Sequence, residues 1–141
     1  MRQGEIKMID KVFVYGTLKV GHALAYQLDD LRTSSKEGYI KNAVMYSLGP
    51  YPAIKTKNIP GRRVYGEVHT YKQFREVLRR LDQIEGFNPD KPKTSFYSRE
   101  ITTVYIEGEE PVEAHVYTMN NGWRNLGDDQ IIQSGKWEGR E

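Results

Sequence analysis

Apolar residues recur at every third or fourth position between Tyr71 and Glu85, and this pattern is the clearest structural signal in the chain. It predicts one amphipathic helix whose apolar stripe packs on a sheet. Thr70 and Gln73 form a predicted capping box at its start, and Gly86 is suited to the left-handed position beyond its end. The apolar stripe consists of Phe74, Val77, Leu78, Leu81 and Ile84, and the predicted polar face carries Lys72, Arg75, Glu76, Arg79 and Asp82.

The other apolar segments are short and are bounded by Gly, Pro, Asn and Asp, a pattern that is typical of strands joined by turns. Leucines at helical spacing predict one further short helix over His22–Leu31. Gly66 lies inside a strand and indicates a bulge or a close backbone approach. Ser34 and Ser35 are assigned to a loop. The predicted strands are Lys11–Tyr15, Glu37–Ser47, Ala53–Lys57, Arg63–Tyr71, Phe96–Ile106 and Val112–Met119, and the last two form a hairpin.

This order of elements predicts an α+β fold with a mostly antiparallel or mixed and strongly curved sheet. A length of 141 residues points to a single domain over residues 1–141, with a core at about 11–119 and a C-terminal tail at 120–141. Trp123 and Trp137 are the large apolar anchors of that tail. Residues 87–94 form a polar, proline-rich loop.

Composition and charge exclude several classes of function. The chain has no cysteine, which excludes a disulfide framework, a thiol nucleophile and a zinc-thiolate site. A net charge of +2 with interspersed acids and bases argues against a nucleic-acid or membrane partner. Its three histidines lack metal-ligand spacing. With no apolar signal segment at the N-terminus, we expect a cytoplasmic protein without a metal.

A glycine-bracketed loop, Gly16–Gly21, follows the first predicted strand and precedes the first predicted helix. It resembles part of a phosphate-binding loop, but His22 and Ala23 stand where the phosphate lysine and the magnesium hydroxyl would be needed, which argues against a nucleotide. Backbone N–H groups in such a loop are suited to a carboxylate or a developing oxyanion. The alternative is a plain tight turn that leaves a strand.

Glu85 is the strongest candidate for chemistry, because it ends the predicted helix directly before Gly86. A carboxylate there faces the negative end of the helix dipole, at a cost of about 0.3–1 kcal/mol when exposed. The dipole and partial burial both disfavour the charged form, so they raise the pKa of Glu85 towards the range of a general acid/base. The alternative is a solvated residue near Arg79 or Arg80.

Several short motifs together resemble the γ-glutamyl cyclotransferase superfamily, and in particular its compact, AIG2-like branch. They occur in the family's order and cover most of residues 11–137. The proline-rich 87–94 loop is a departure from the family pattern, and it indicates that gating or specificity differs from that of relatives. The motifs are Val14–Gly21 with its Tyr-Gly-Thr-Leu, Tyr51–Ala53, Val64–Val68, Leu81–Gly86 with the catalytic glutamate, Tyr97–Arg99 with its Tyr-x-Arg, and Ile132–Trp137.

The resemblance implies a small mixed β-barrel with flanking helices. It also implies an intramolecular reaction in which a γ-glutamyl amide forms 5-oxoproline and releases an amine, without a metal or cofactor. In that reaction Glu85 is the catalytic acid/base. The substrate-binding residues are Tyr15, Gly16, Thr17, Leu18 and Tyr97.

Two functions follow from this family fold. The first is a γ-glutamyl cyclotransferase, and the second is a non-catalytic module that binds a small molecule or a protein. The presence of Glu85 between Leu81-Asp82 and Gly86 favours the enzyme. The enzyme hypothesis predicts that Gly16, Thr17 and Leu18 line one cleft with Glu85, although they are far apart in sequence.

Overall fold

Seven strands and one α-helix form the part of the chain that the computed structural model describes. This part comprises residues 9–16, 19, 25–49, 51–56, 60–91, 97–119 and 126–138. A 3-10 helix, Ala25–Leu31, lies where the first helix was predicted, and residues 22–24 of that prediction lie outside the described residues. The elements are β1 (Lys11–Val14), β2 (Arg32–Lys41), β3 (Val44–Ser47), β4 (Pro52–Lys55), β5 (Arg63–Tyr71), α1 (Phe74–Glu85), β6 (Tyr97–Val104) and β7 (Val112–Met119).

The main sheet has five strands in the order β2-β5-β1-β7-β6, and β3 and β4 form a separate hairpin. All neighbours in the main sheet are antiparallel except β1 and β7, which confirms the predicted α+β fold with a mixed sheet. The two edge strands meet where Tyr39 and Tyr105 exchange backbone hydrogen bonds of 3.0 and 2.9 Å. This bridge is isolated, so the sheet is strongly curved but not closed, and it is a barrel only in a loose sense.

The curved sheet separates two apolar clusters, because alternate residues of each strand point to opposite faces. In β1, Phe13 points to the inner cluster, which also contains Trp137 of the tail. Val12 and Val14 point to the outer cluster, where α1 packs. Phe74, Val77 and Leu81 of the predicted apolar stripe are buried, whereas Leu78 and Ile84 are only partly covered, so the predicted burial is confirmed in part.

The start of α1 differs from the prediction. Tyr71 is the last residue of β5, and the helix begins at Phe74. Gln73 takes a left-handed conformation with φ of 53° and makes no side-chain cap, so the predicted capping box of Thr70 and Gln73 is wrong. Only two residues connect β5 to α1, and the sharp reversal of the chain determines their conformation.

The end of α1 is as predicted. Gly86 is left-handed with φ of 74°. Its N–H donates to the carbonyl oxygen of Gln83 at 3.3 Å, and the N–H of Phe87 donates to that of Asp82 at 2.8 Å. These two hydrogen bonds form a Schellman motif, which holds the last turn of the helix in a defined geometry.

Two strand predictions need correction. The single strand predicted over Glu37–Ser47 is two strands, because Asn42 takes a φ of 59° and turns the chain between β2 and β3. β2 also begins earlier than predicted, so Ser34 and Ser35 lie in a strand and pair with β5. The hairpin of β6 and β7 is confirmed.

Gly66 marks a close backbone approach, as one of the two sequence interpretations proposed. A Cβ at this position would lie 2.3 Å from the carbonyl oxygen of Val14, and the register of β5 against β2 continues across it. Only glycine therefore lets β5 lie this close to the end of β1, which leads into the glycine loop.

Candidate active site

Glu85 is the last residue of α1, and the Schellman motif directs the chain away immediately after it. The side chain is partly buried. This burial raises the pKa of the Glu85 carboxyl to about 7. The helix therefore holds a carboxyl that exchanges its proton near neutral pH, which is the property that a general acid/base needs.

The arginines that could have neutralised Glu85 bind a different acid. Arg79 donates from its Nη2 to Glu76 at 2.6 Å, and Arg80 donates from its Nε to the same carboxylate at 3.0 Å. Glu76 lies near the start of α1, so both ion pairs form along the helix rather than at its end. This geometry argues against the interpretation of Glu85 as a solvated partner of Arg79 or Arg80.

Three buried tyrosines, Tyr15, Tyr97 and Tyr117, lie within electrostatic range of Glu85, and we refer to these four residues together as the site cluster. Burial raises the pKa of each tyrosine, and the charge of Glu85 raises it further. An electrostatic effect of Glu85 on all three hydroxyls requires that the four side chains share one region of the molecule. They come from the end of β1, the start of β6, the end of β7 and the end of α1.

Hydrogen bonds fix two of these tyrosines. The Tyr15 hydroxyl donates to the carbonyl oxygen of Tyr117 at 2.6 Å, and the Tyr97 hydroxyl donates to that of Pro52 at 2.8 Å. Pro52 also limits the loop after β1, because a Cβ on Gly16 would lie 2.9 Å from Pro52 Cγ. The Tyr51–Ala53 motif thus packs directly against the first residue of the glycine loop.

The predicted site residues therefore fall into two groups. The structure brings Tyr15, Tyr97 and Glu85 together and places Gly16 next to Tyr15. Thr17 and Leu18 lie outside the described residues. The N–H of Lys19 donates to the Gly16 carbonyl oxygen at 3.1 Å, as in a tight turn. The single cleft formed by this loop and Glu85 stays a prediction.

Asp82 was assigned to the polar face of α1, and this assignment is wrong. Asp82 is only 9% exposed, and its Oδ1 accepts a hydrogen bond from the Tyr117 hydroxyl at 2.5 Å. Arg99 of β6 has its Nε 3.3 Å from the same oxygen. The sequence contained a signal for this burial, because Asp82 follows Phe74 and Leu78 at intervals of four and so lies on the apolar stripe.

A second carboxylate lies on the inner side of the site cluster. Glu100 accepts hydrogen bonds from Thr118 at 2.7 Å and from Thr56 at 3.2 Å. Its charge also contributes to the raised pKa of Tyr15, after burial, Tyr97 and Glu85. Because β6 and β7 alternate inward and outward residues, Glu100 and Thr118 point inward while Tyr97 and Tyr117 point towards α1.

The described ranges contain neither a cluster of metal ligands nor a membrane-spanning helix. Over these residues, no group of three or more His, Asp or Glu side chains is arranged to hold a metal ion. No helix in them has the length and apolar character needed to cross a membrane. The chemistry available at the site cluster is proton exchange by one carboxyl in a largely dehydrated, hydroxyl-rich surrounding.

Comparison with known proteins places this arrangement in a family. The family model described as gamma-glutamyl cyclotransferase, AIG2-like, matches residues 12–139. Gamma-glutamylaminecyclotransferase of Bos taurus is 36% identical in an alignment of 118 residues, and the match covers 76% of this chain and 64% of that protein. The chain thus spans slightly less than two thirds of the length of this relative.

Solved structures show the same fold. YkqA from Bacillus subtilis has a TM-score of 0.68 and 22% identity, over 92% of this chain and 40% of that one. An AIG2-like protein from Mus musculus has a TM-score of 0.63 and 23% identity, over 88% and 83%. The family match covers all four residues of the site cluster, and the chain belongs to the gamma-glutamyl cyclotransferase, AIG2-like family.

Proposed function

We propose that the protein is a γ-glutamyl cyclotransferase that converts a γ-glutamyl amide to 5-oxoproline and a free amine. The observation that carries this proposal is the Glu85 carboxyl, whose pKa is raised to about 7 by burial. Family membership supplies the reaction class, and the bovine relative is named for a reaction of this kind.

The proposed reaction needs only the substrate and one proton-transfer group. The substrate's α-amino nitrogen attacks its own γ-carbonyl carbon, and Glu85 takes the proton that this nitrogen loses. The bond from the γ-carbon to the amide nitrogen then breaks, and Glu85 returns the proton to the leaving amine. Because attack is intramolecular, holding the substrate in a cyclic geometry supplies a large part of the rate.

Backbone N–H groups of Gly16, Thr17 and Leu18 are the proposed binding site for the substrate's carboxylate or for the oxyanion that forms on the γ-carbonyl. The contact between Gly16 and Pro52 supports this assignment, because it fixes where the loop begins. Tyr15 and Tyr97 are the proposed walls of the pocket. Their bonded hydroxyls keep the rings in place beside Glu85.

The remaining expectations belong to the same proposal. The partner is a small γ-glutamyl substrate, and the reaction requires no cofactor. The protein acts in the cytoplasm as one domain over residues 1–141. No feature of the described surface distinguishes one leaving amine from another, so the substrate screen must vary that group.

A screen of γ-glutamyl amides with different leaving amines, read by mass spectrometry of 5-oxoproline, tests the proposal. Matched N-acetyl derivatives serve as the control, because acetylation removes the attacking amine and should abolish 5-oxoproline formation. Release of glutamate instead of 5-oxoproline would show that water attacks, and it would contradict the mechanism. Binding of several amides without turnover would favour a binding module.

A further inference from the structure

Tyr117 contacts α1 through its hydroxyl and the end of β1 through its backbone carbonyl. Its hydroxyl donates to Oδ1 of Asp82 in the last turn of α1 at 2.5 Å. Its carbonyl oxygen accepts from the Tyr15 hydroxyl at 2.6 Å, directly before the glycine loop. Tyr117 is only 4% exposed, so water competes little for either hydrogen bond. One residue of β7 therefore connects the helix that carries Glu85 to the strand that carries the loop.

Arg99 holds the same helical turn from β6. Its Nε lies 3.3 Å from Asp82 Oδ1, and its guanidinium carbon lies 5.3 Å from the centre of the Phe87 ring. Asp82 precedes Glu85 by three residues and Phe87 follows it by two, so Arg99 contacts the chain on both sides of the glutamate. The ion pair also compensates the Asp82 carboxylate, which would otherwise be a buried charge without a counterion.

We infer that Tyr117, with Asp82 and Arg99, is a positioning unit that sets the distance between Glu85 and the Tyr15–Gly16 segment. The inference rests on the proposed cyclotransferase function and adds residues that act through Glu85 rather than on the substrate. Proton transfer requires heavy atoms about 2.6–3.2 Å apart, and a misplacement of about 1 Å can reduce the rate on the order of 100-fold. Because the loop is the proposed binding site of the substrate, the position of Glu85 relative to Gly16 determines the distance over which the proton moves. A unit that fixes this position therefore affects kcat more than substrate binding.

The first test is Tyr117→Phe, which removes only the hydroxyl and keeps the ring and the carbonyl. We expect kcat to fall roughly 10- to 100-fold while KM changes less than about threefold, since the loop still binds substrate. Tyr71→Phe is the matched control. Tyr71 is equally buried and its hydroxyl lies 2.9 Å from His69 Nδ1, a hydrogen bond that has no part in the positioning unit. It should lower the melting temperature to a similar extent and leave kcat unchanged.

Arg99→Lys tests the unit from β6, and it keeps the inference falsifiable if Tyr117→Phe does not fold. Lysine retains a positive charge near Asp82 but loses the flat contact with Phe87. We expect a severalfold fall in kcat with KM unchanged. Unchanged kcat in both variants, or a fall that follows melting temperature as in Tyr71→Phe, would overturn the inference.

Amide hydrogen exchange separates this inference from the proposed function, because it needs no turnover. In Tyr117→Phe, exchange should accelerate roughly tenfold or more at Gly86–Phe87, where the hydrogen bond to Asp82 is lost. It should also accelerate, to a smaller extent, at Tyr15–Gly16, because a residue 117 that is no longer held by α1 lets its carbonyl oxygen shift away from the Tyr15 hydroxyl. In Tyr71→Phe it should accelerate at neither segment. Acceleration at only one of the two segments would refute the connection through Tyr117. If the wild-type chain forms no 5-oxoproline, the proposed function fails and the effect on kcat fails with it, while exchange still decides whether Tyr117 joins the two elements.

Discussion

A second group of tyrosines lies on the same curved sheet as the site cluster, and its surroundings are different. Tyr39, Tyr65 and Tyr105, which we call the surface cluster, pack with ring centroids 5.7 and 5.5 Å from Tyr39. All three are half-exposed. Cations lie on their rings, with Arg63 4.4 Å from the centre of Tyr39 and Lys41 4.2 Å from that of Tyr105. The tyrosines of the site cluster instead have buried hydroxyls bonded to backbone carbonyls or to Asp82.

Carboxylates accompany both clusters as well. Glu37 and Glu67 lie opposite each other in the register of β2 and β5, beside the surface cluster. They line an open cleft of about 810 Å³. Glu37 is exposed, and Glu67 lies 2.8 Å from Nε2 of the buried His69. The difference indicates that cavity size and residue types alone do not identify a carboxyl with a raised pKa. Loss of water around Glu85 raises its pKa, whereas Glu37 remains in contact with solvent.

The substitution with the largest expected effect on turnover is Glu85→Gln. It keeps the size of the side chain and most of its hydrogen bonding but removes the exchangeable proton, so turnover should fall by roughly 100- to 10,000-fold. Folding should be preserved or slightly improved, because an unfavourable charge leaves the helix C-terminus. The measurements are 5-oxoproline formation from an accepted substrate and thermal unfolding.

Glu37→Gln is the matched control in the surface cluster. It removes an exposed charge that lies opposite Glu67. Surface substitutions of this kind seldom change stability by more than ~0.5 kcal/mol, so the fold should be intact. Turnover should then stay within about twofold, because Glu37 is not part of the site cluster. Full activity in Glu85→Gln would remove Glu85 from the mechanism. Equal losses in both variants would mean that net charge, rather than one carboxyl, matters.

Gly66→Ala should have the next largest effect. Gly66 follows Tyr65 of the surface cluster and lies against the backbone of Val14 and Tyr15, which leads to the site cluster. The added Cβ would meet the Val14 carbonyl oxygen at 2.3 Å, so β1 or β5 must move. We expect a loss of about 1–3 kcal/mol in the free energy of unfolding, measured with denaturant. Gly38→Ala, whose Cβ would lie 2.9 Å from the Tyr105 carbonyl oxygen, should cost less. A larger loss of stability in Gly38→Ala than in Gly66→Ala would show that the close approach of β5 to Val14 is not the tighter constraint on the sheet.

Local signals in the sequence were sufficient for the helix stripe, the Schellman end at Gly86 and most strands. Helical periodicity placed Asp82 on the apolar stripe of α1. Its buried partners, Tyr117 and Arg99, lie on β7 and β6, so the sequence around Asp82 could not reveal them. The break at Asn42 was missed for a related reason. Asparagine tolerates a left-handed φ, but nothing in its immediate neighbours requires one there.

The site shows the same division. Glu85 was predicted from a local conflict, a carboxylate at the negative end of a helix. Its tyrosine neighbours Tyr15 and Tyr97 were carried by the family resemblance, because residues from β1 and β6 meet α1 only through the sheet order. Tyr117 had no local signal, since alternation in β7 predicts which face a side chain takes but not which helix covers that face.

The pH dependence of stability tests directly whether burial raises the pKa of Glu85. Burial raises the pKa of Glu85 from 4.5 to about 7, so the folded protein binds this proton more tightly than the unfolded chain. The wild type should therefore lose stability relative to Glu85→Gln as pH rises from 4.5 to 7, and the difference should level off above pH 7. We expect a change of about 2–3 kcal/mol, measured by denaturant unfolding across this range. A difference between the wild type and Glu85→Gln that stays constant across this range would mean that Glu85 is solvated.

The smallest expected effect is that of Tyr39→Leu in the surface cluster. Leucine keeps an apolar side chain on β2 but removes the ring that contacts Tyr65, Tyr105 and the Arg63 guanidinium. Aromatic pairs and exposed cation–π contacts each contribute about 0.5–1 kcal/mol. Because the three contacts share one ring and are not additive, the free energy of unfolding should fall by about 1–2 kcal/mol. Turnover should be unchanged, because the Tyr39 ring packs on Tyr65 and Tyr105, outside the site cluster. A substantial fall in kcat at unchanged stability would show that the two tyrosine clusters act together, and the distinction between a reactive and a merely structural cluster would then be wrong.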